Sequence, residues 1–318
     1  MSPDSQRVMV DVGGRELQLS NLEKPLYPTG FTKGDLLDYY ARIAPVMLRH
    51  LRDRPVTVKR FPEGVEQQGF IAKNVPRHAP DWLRTVTLPR KGTDRWGKPS
   101  GSENDRETTQ FVVVEDLATL MWLVNLAAVE FHTPMWRIGQ KGQPRSPDLL
   151  VLDLDPGHPA TITECCQIAL SLRDRVSKDG IELIPKTSGS KGVQLYARIA
   201  ARRWSADRVN DYARELAEEL ERTLPDLAVS RMAKALRPGK VLIDWSQNNM
   251  AKTTVSPYSL RALERPTVST PLSWDEVGRG ADGDGGADGP GAGLLAFGPR
   301  DVLARVETLG DLFESLGS

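Results

Sequence analysis

Two acidic side chains interrupt the apolar run Leu149-Leu150-Val151-Leu152-Asp153-Leu154-Asp155-Pro156-Gly157, which then stops at Pro-Gly. The pattern reads as a buried strand that ends in a site. Side chains alternate faces along a strand, so Asp153 and Asp155 share one face while Leu152 and Leu154 occupy the other. Two converging carboxylates beside an apolar strand repel each other and lose hydration unless a cation or hydrogen-bond donors sit between them. A hard divalent ion such as magnesium or manganese meets that need. The competing reading puts both residues in an exposed turn, capping the helix that follows. Val241-Leu242-Ile243-Asp244-Trp245-Ser246-Gln247-Asn248 repeats the theme of an apolar strand delivering a carboxylate, and Asp244 is a third candidate acid.

A second group of chemistry-bearing residues is Thr187-Ser188-Gly189-Ser190-Lys191-Gly192, a polar turn between two predicted strands. Its glycines allow close backbone approach, Ser188 and Ser190 can donate to phosphate oxygens, and Lys191 supplies charge, so the turn could cradle a triphosphate. It lacks the spacing of a Walker A loop and joins strand to strand; an ordinary hairpin turn is the alternative. Upstream, Lys59 and Arg60 precede Phe70-Ile71-Ala72-Lys73. Interleaved basic and aromatic side chains can hold a phosphate backbone while stacking a base, or can be a core aromatic beside snorkelling cations. Asn21, Lys24 and Lys33 flank a predicted helix start, where free backbone N–H groups and a positive dipole would complete a phosphate-sized pocket. Solvated lysines are the competing reading there. His132, after an apolar stretch, reads on its own first as a satisfied structural residue.

The 318 residues have room for one or two domains with a large core. With 42 basic against 42 acidic residues, no global field draws the chain to nucleic acid or membrane, and a polyanion site must be a local patch. Cys165 and Cys166 are adjacent on a predicted helix, which suits neither a disulfide framework nor a zinc site and fits packing in a reducing cytoplasm. A polar N-terminus, and no apolar run near the roughly 20 residues that span a bilayer, predict a soluble cytoplasmic protein without membrane contact.

The elements that must position these residues follow from periodicity and caps. Alternation predicts a hairpin over Val8 to Leu19, around Gly13-Gly14. Thr32 and Asp35 form a capping box for a helix whose apolar positions Leu36, Tyr40, Ile43, Ala44, Met47 and Leu51 recur at helical spacing. A strand is predicted over Pro55 to Phe61, a mobile loop over Leu88 to Thr109, and one buried helix from Asp116 to Phe131, closed by His132. Lys141 to Asp148 reads as a linker between modules. Beyond it come the Asp153 strand, a helix capped by Thr161 and Glu164, a strand over Ile181 to Lys186, the polar turn, a strand over Val193 to Ala197, a helix over Ser205 to Leu224, and the Asp244 strand. That βαββαβ order is ferredoxin-like and brings Asp153, Asp155 and Asp244 together on adjacent central strands. Val277 to Gly293, dominated by Gly, Ala and Asp, reads as disordered or loosely ordered, and Pro299 to Leu316 as a helix. The expected fold class is α+β: an N-terminal α/β module over 1–145, an RRM-like antiparallel catalytic module over 146–270, and a Gly/Asp-rich segment with a C-terminal helix over 271–318.

The Asp-x-Asp strand, the polar turn and the Asp244 strand, together with Asn21-Leu22-Glu23-Lys24, His132-Thr133-Pro134-Met135-Trp136 and Pro257-Tyr258-Ser259-Leu260-Arg261, match motifs of one family in the same order. From about Asn21 to Pro271 the sequence strongly resembles the archaeo-eukaryotic primase superfamily, most closely the polymerase domain of bacterial ligase D and its stand-alone relatives that work with ligase C. The resemblance implies a primase-polymerase fold and a template-dependent nucleotidyltransferase. It implies that Asp153, Asp155 and Asp244 hold two divalent ions, Mn2+ or Mg2+, one activating the primer 3′-hydroxyl and one bridging the nucleotide phosphates. By the same match Ser188, Ser190 and Lys191 would bind the triphosphate, with Lys59, Gln247 and Arg261 nearby and His132 at the nucleotide sugar. Phe70 looks like a base-stacking residue, and Ile71 stands where a second aromatic is common. Asn21, Lys24 and Lys33 look like a pocket for a 5′-phosphate across a DNA gap or break. Relatives commonly carry a histidine where this chain has Gln194, which can donate a hydrogen bond but cannot carry a proton or charge. A preference for ribonucleotides and manganese is also implied by the resemblance alone.

The first expectation is therefore a monomeric bacterial repair polymerase, associated with the nucleoid, that fills short gaps with nucleoside triphosphates and hands the nick to an ATP-dependent DNA ligase of the ligase C type. The second is the end-joining role of the ligase D polymerase domain, with Ku as a further partner. The absence of ligase and nuclease modules in these 318 residues is read as favouring a stand-alone protein over an excised domain. A non-catalytic nucleic-acid-binding module is disfavoured, because a surface for phosphates gains nothing from three carboxylates.

Overall fold

Residues 7–89, 108–283 and 295–317 are described by a computed structural model. Strands β1 (Arg7–Asp11) and β2 (Glu16–Ser20) form the expected hairpin and lead into helix α1 (Lys33–Leu51). The Thr32 and Asp35 side chains cap α1 reciprocally, as their spacing requires. There follow β3 (Pro55–Arg60), β4 (Phe70–Ala72), β5 (Thr85–Pro89), β6 (Thr108–Val113), α2 (Leu117–Asn125) and β7 (Ala128–Thr133). The second half begins with β8 (Leu149–Pro156), α3 (Ile162–Ser177), β9 (Ile184–Thr187), β10 (Val193–Arg198), α4 (Ala206–Thr223), β11 (Ala228–Val229) and β12 (Val241–Asp244). It ends with β13 (Thr254–Val255), β14 (Leu260–Ala262), β15 (Pro266–Val268), α5 (Trp274–Ala281), α6 (Pro299–Leu309) and α7 (Glu314–Gly317).

Several boundaries differ from the sequence expectation. The helix expected over Asp116 to Phe131 stops at Asn125, Ala127 turns the chain at a φ of 59°, and β7 follows, so His132 lies on a strand rather than closing a helix. β7 is buried on both faces except at His132, which is partly exposed. Leu88 and Thr109 are strand residues and register partners; residues 90–107 of the expected loop lie outside the described residues. The second strand of the second half starts at Ile184 rather than Ile181. Val277 to Ala281, expected to be loose, belongs to α5, and residues 284–293 lie outside the described residues. The expected C-terminal helix is two helices separated at Gly310, whose φ is 70°.

The second half folds as one sheet in the order β11-β12-β8-β10-β9. Its pairings are antiparallel except for the short β11 beside β12, and β12-β8-β10-β9 is the strand order of a ferredoxin-like βαββαβ unit. Leu150, Leu152 and Leu154 point into a layer built from Ile168 and Leu172 of α3 and Val209 and Leu216 of α4, where both free cysteines are also buried. On the opposite face Leu149 and Val151 pack with Met135, Tyr196 and Phe313, and the next two residues of that face are Asp153 and Asp155.

The first half carries a six-stranded sheet in the order β13-β7-β3-β6-β5, with β4 also on β3. Leu36, Tyr40 and Met47 of α1 and Leu120 and Val124 of α2 share a core with Val58 and Phe131. The chain end does not stand apart: Leu260, Val268 and Val302 complete this core, whereas Leu272 and Val277 join the core of the five-stranded sheet. The predicted linker ends in a partly buried ion pair, with Asp148 taking both terminal nitrogens of Arg54 at 2.8 and 2.7 Å and Arg137 Nε at 2.9 Å. No helix among the described residues is long and apolar enough to cross a membrane.

Candidate active site

Register places four polar residues in one row across the five-stranded sheet. Asp244 on β12 pairs with Asp153 on β8, Asp153 with Gln194 on β10, and Gln194 with Lys186 on β9. Direct register partners project to the same face, and Asp155, two residues along β8, projects there too. The Asp153 carboxylate accepts from Gln194 Nε2 at 3.0 Å through Oδ1. Asp244 accepts from the Ser246 N–H at 3.0 Å and Gln247 Nε2 at 2.8 Å, one carboxylate oxygen for each. The Asp155 carboxylate has no hydrogen bond among the described residues.

Burial, and then the charge of Asp155, push the Asp153 carboxyl up to about 7; the Gln194 hydrogen bond and the Lys186 charge pull the other way. A divalent cation would remove the repulsion that raises it, and oxygen donors suit magnesium or manganese. Among the described residues no three ligand-type side chains stand ready-made as a metal cage. Both Asp244 oxygens are taken, one by Ser246 and the other by Gln247.

Ser188, Ser190 and Lys191 lie on the β9-β10 hairpin beside the end of β8. Ser188 Oγ accepts from the Ser190 and Gly192 N–H groups at 3.2 and 3.1 Å, which shapes the turn. Gly192 is required here, since a Cβ would stand 2.1 Å from the Leu154 carbonyl oxygen. Lys191 Nζ reaches Pro156 O at 3.2 Å and so hangs over the end of the Asp153-Asp155 strand. From β14, Arg261 donates to Ser188 O through Nη1, tying the turn to the other half of the molecule.

Glu130 is the residue that sequence reasoning missed. It sits on β7 directly opposite Lys59 of β3, with Thr57 opposite His132. Buried to 3 % exposure, its carboxylate lies 2.9 Å from His132 Nε2, 3.5 Å from Arg261 Nε and 4.0 Å from Lys59 Nζ, and accepts from the Ala262 N–H at 3.0 Å. Three of the predicted nucleotide-binding side chains therefore converge on one acid. Reading 128–133 as a strand would have exposed the signal, because Glu130 and His132 then share a face opposite Val129 and Phe131. Arg261 Nε is buried without a hydrogen-bond partner in its own right, leaving donor capacity in the cluster.

Phe70 is not brought into this group. On β4 it pairs with Arg60, whose guanidinium lies 5.1 Å from the ring centroid, while Ile71 pairs with Lys59 and shares the Glu130 face. Ile71, 65 % exposed and standing where the motif match has a second aromatic, is thus the one of the two on that face.

At the predicted phosphate pocket the helix end differs from expectation. The N–H groups of Lys33, Gly34 and Asp35 are taken by Lys24 O at 2.9 Å, Leu22 O at 2.7 Å and Thr32 Oγ1 at 3.1 Å, because the chain before α1 folds over its first turn. Any anion site there rests on side chains. Lys33, 5 % exposed, donates to Ser20 O at 2.6 Å, and burial, then the charge of Lys24, push it down to about 8. Lys24 pairs with Glu63 at 2.7 Å, and Asn21 is exposed at a φ of 55°.

Glu130 gives the site a pH signature. Burial alone would raise its carboxyl, but His132, Arg261 and the Ala262 N–H outweigh burial and hold it at about 2, against an ordinary 4.5. The sign follows: the stabilisation is fully present above 4.5 and is lost as pH falls from there toward 2. Glu130→Gln should cost on the order of 3 kcal/mol at neutral pH, and its gap from wild type in denaturant midpoint should close on acidification. A gap that stays constant with pH would contradict the pairing.

Residues 32–313 match the family model described as LigD, primase-polymerase domain. The multifunctional non-homologous end joining protein LigD of Mycolicibacterium smegmatis is 40 % identical over 301 residues, covering 94 % of this chain and 36 % of that protein. The bifunctional non-homologous end joining protein LigD of Bacillus subtilis is 32 % identical over 263 residues, covering 82 % of this chain and 39 % of that protein. The chain thus spans little more than a third of the length of these relatives. The polymerase domain from Mycobacterium tuberculosis ligase D, solved in complex with DNA, superimposes with a TM-score of 0.82 at 37 % identity, covering 95 % of this chain and 98 % of that one. The chain belongs to the LigD primase-polymerase domain family, a family of DNA-directed nucleotidyltransferases.

Proposed function

We propose that the chain extends a primer 3′-hydroxyl by one or a few templated nucleotides at a short DNA gap whose far side carries a 5′-phosphate. The observation that carries this reading is the row of acids beside a basic, hydroxyl-lined turn, with the Glu130 cluster tied to that turn through Arg261. Asp153, Asp155 and Asp244 are the ligands proposed for two divalent ions, Asp244 by a rotation that releases Gln247. When bound, such ions supply activation of the 3′-hydroxyl and neutralise charge on the triphosphate. The family is generally metal-dependent. Ser188, Ser190, Lys191, Lys59 and Arg261 bind and orient the phosphates, and Gln247 joins them once Asp244 turns. His132, held by Glu130, faces the sugar, where a 2′-hydroxyl would offer it a hydrogen bond. Asn21, Lys24 and Lys33 take the 5′-phosphate, with phosphate replacing Glu63 as the partner of Lys24. Phe70 stacks on nucleic acid from the outer face of β4.

End joining is the second reading, favoured by the non-homologous end joining proteins among the relatives and by a structural neighbour bound to DNA. A ligase of the ligase C type, or a ligase D system with Ku, is the partner that each reading implies.

Asp153→Asn and Asp155→Asn should each reduce manganese-dependent extension of a short 5′-phosphorylated gap to background while gapped-DNA binding persists. Undiminished extension sinks the assignment. Running wild type with ribo- and deoxynucleotides, and on two mispositioned overhangs in parallel, separates sugar choice and role; a clear preference for overhangs selects end joining.

Lys33 supplies an independent prediction. The preference for 5′-phosphorylated over 5′-hydroxyl gaps should decline as pH is raised through about 8, where the ammonium of Lys33 loses its proton. Lys33→Arg, charged throughout, should keep its preference across that range. A wild-type preference indifferent to pH removes Lys33 from the pocket.

A further inference from the structure

Lys186 closes the row of register partners that runs Asp244, Asp153, Gln194, Lys186, and it is fully buried. Its Nζ donates to Gln194 Oε1 at 2.5 Å and to Ser269 Oγ at 2.5 Å, and lies 5.5 Å from the centroid of the Tyr196 ring. The Ser269 hydroxyl is itself fixed, donating to Thr187 O at 3.0 Å. Among the described residues no carboxylate is in ion-pair contact with Lys186. A fully buried lysine held only by neutral acceptors is an expensive way to fill a core, and the acid it faces is Asp153, one amide away.

The amide in between is directional. A glutamine presents an acceptor at one end and donors at the other, and Lys186 stands as a donor, since Ser269, whose own hydrogen goes to Thr187 O, accepts from it. With Lys186 on Oε1, Gln194 can meet Asp153 only through Nε2, and it does so at 3.0 Å. The flipped amide would set two donors against Lys186 and an acceptor against a carboxylate. Asp153 Oδ1 is thereby occupied, and Oδ2 carries no hydrogen bond among the described residues.

We propose that Lys186 is a positioning residue for the acidic site, acting through Gln194 to fix the Asp153 carboxylate with one oxygen held and the other left for a divalent ion. The inference rests on the metal reading given above. Groups that orient metal ligands from behind typically change metal affinity 10- to 100-fold when removed, so they act on binding before any reaction occurs.

The test is Mn2+ titration of the full chain without nucleotide or DNA, with free Mn2+ read by electron paramagnetic resonance. Lys186→Met should weaken Mn2+ binding by about tenfold or more. Gln194→Asn, which keeps the amide but is one methylene too short to span both partners, should weaken it similarly. The double variant should be no weaker than Gln194→Asn alone, because Lys186 acts through that amide. Gapped-DNA binding, which a general loss of structure would abolish, should persist in all three. Unchanged Mn2+ affinity in Lys186→Met, or additive losses in the double variant, overturns the relay. Should Lys186→Met not fold, unchanged affinity in Gln194→Asn overturns it equally. A wild-type chain that takes up no Mn2+ overturns instead the metal reading beneath it.

Discussion

Like charges held on one buried face set the terms for the rest of this molecule. Asp153 and Asp155 follow Leu149 and Val151 along the same side of β8, and Asp244 is brought opposite Asp153 by the pairing of β12. Protonation, hydrogen bonding or a cation can relieve such a cluster. Asp153 is pushed toward its neutral form, while Gln194, Ser246 and Gln247 donate to whatever charge remains. A divalent ion would replace partial remedies with a complete one. The packing behind β8 keeps the cluster from simply spreading apart: Leu150, Leu152 and Leu154 are locked into the α3 and α4 layer.

The six-stranded sheet meets the opposite electrostatic problem. Lys59, His132 and Arg261 gather around the single buried carboxylate of Glu130, an excess of donors over acceptors. One site is short of positive charge and the other short of negative charge, and a metal-bound triphosphate would satisfy both together. The segment from β13 to Pro271 joins them physically. Val255 pairs with His132, Arg261 donates to Ser188 O, and Pro271 bridges to Lys186. Charge complementarity and chain connectivity therefore lead to the same junction.

Much of this was legible because its signals are local. The Asp-x-Asp alternation needs only the period of a strand, the Thr32 and Thr161 caps need only three residues of spacing, and the βαββαβ order followed from counting elements. What escaped notice depended on contacts distant in sequence or on unusual backbone. Ala127 takes a left-handed turn without glycine or asparagine to announce it, so an apolar run looked like one helix and hid the Glu130 face. The first-turn N–H groups of α1 looked open because nothing local says that Leu22 and Lys24 fold back onto them. Phe70 and Ile71 were distinguishable only once β4 had a register against β3. Gln194 stood out as a departure from the family pattern, but its partner Lys186 meets it only across the β9-β10 hairpin.

The most direct measurement is anomalous diffraction from crystals of the full chain soaked with Mn2+ and recorded near the manganese edge. The account predicts a strong peak bounded by the carboxylates of Asp153, Asp155 and Asp244, with Asp244 turned away from Gln247. A peak elsewhere, or none in crystals whose three carboxylates are ordered and accessible, would contradict it.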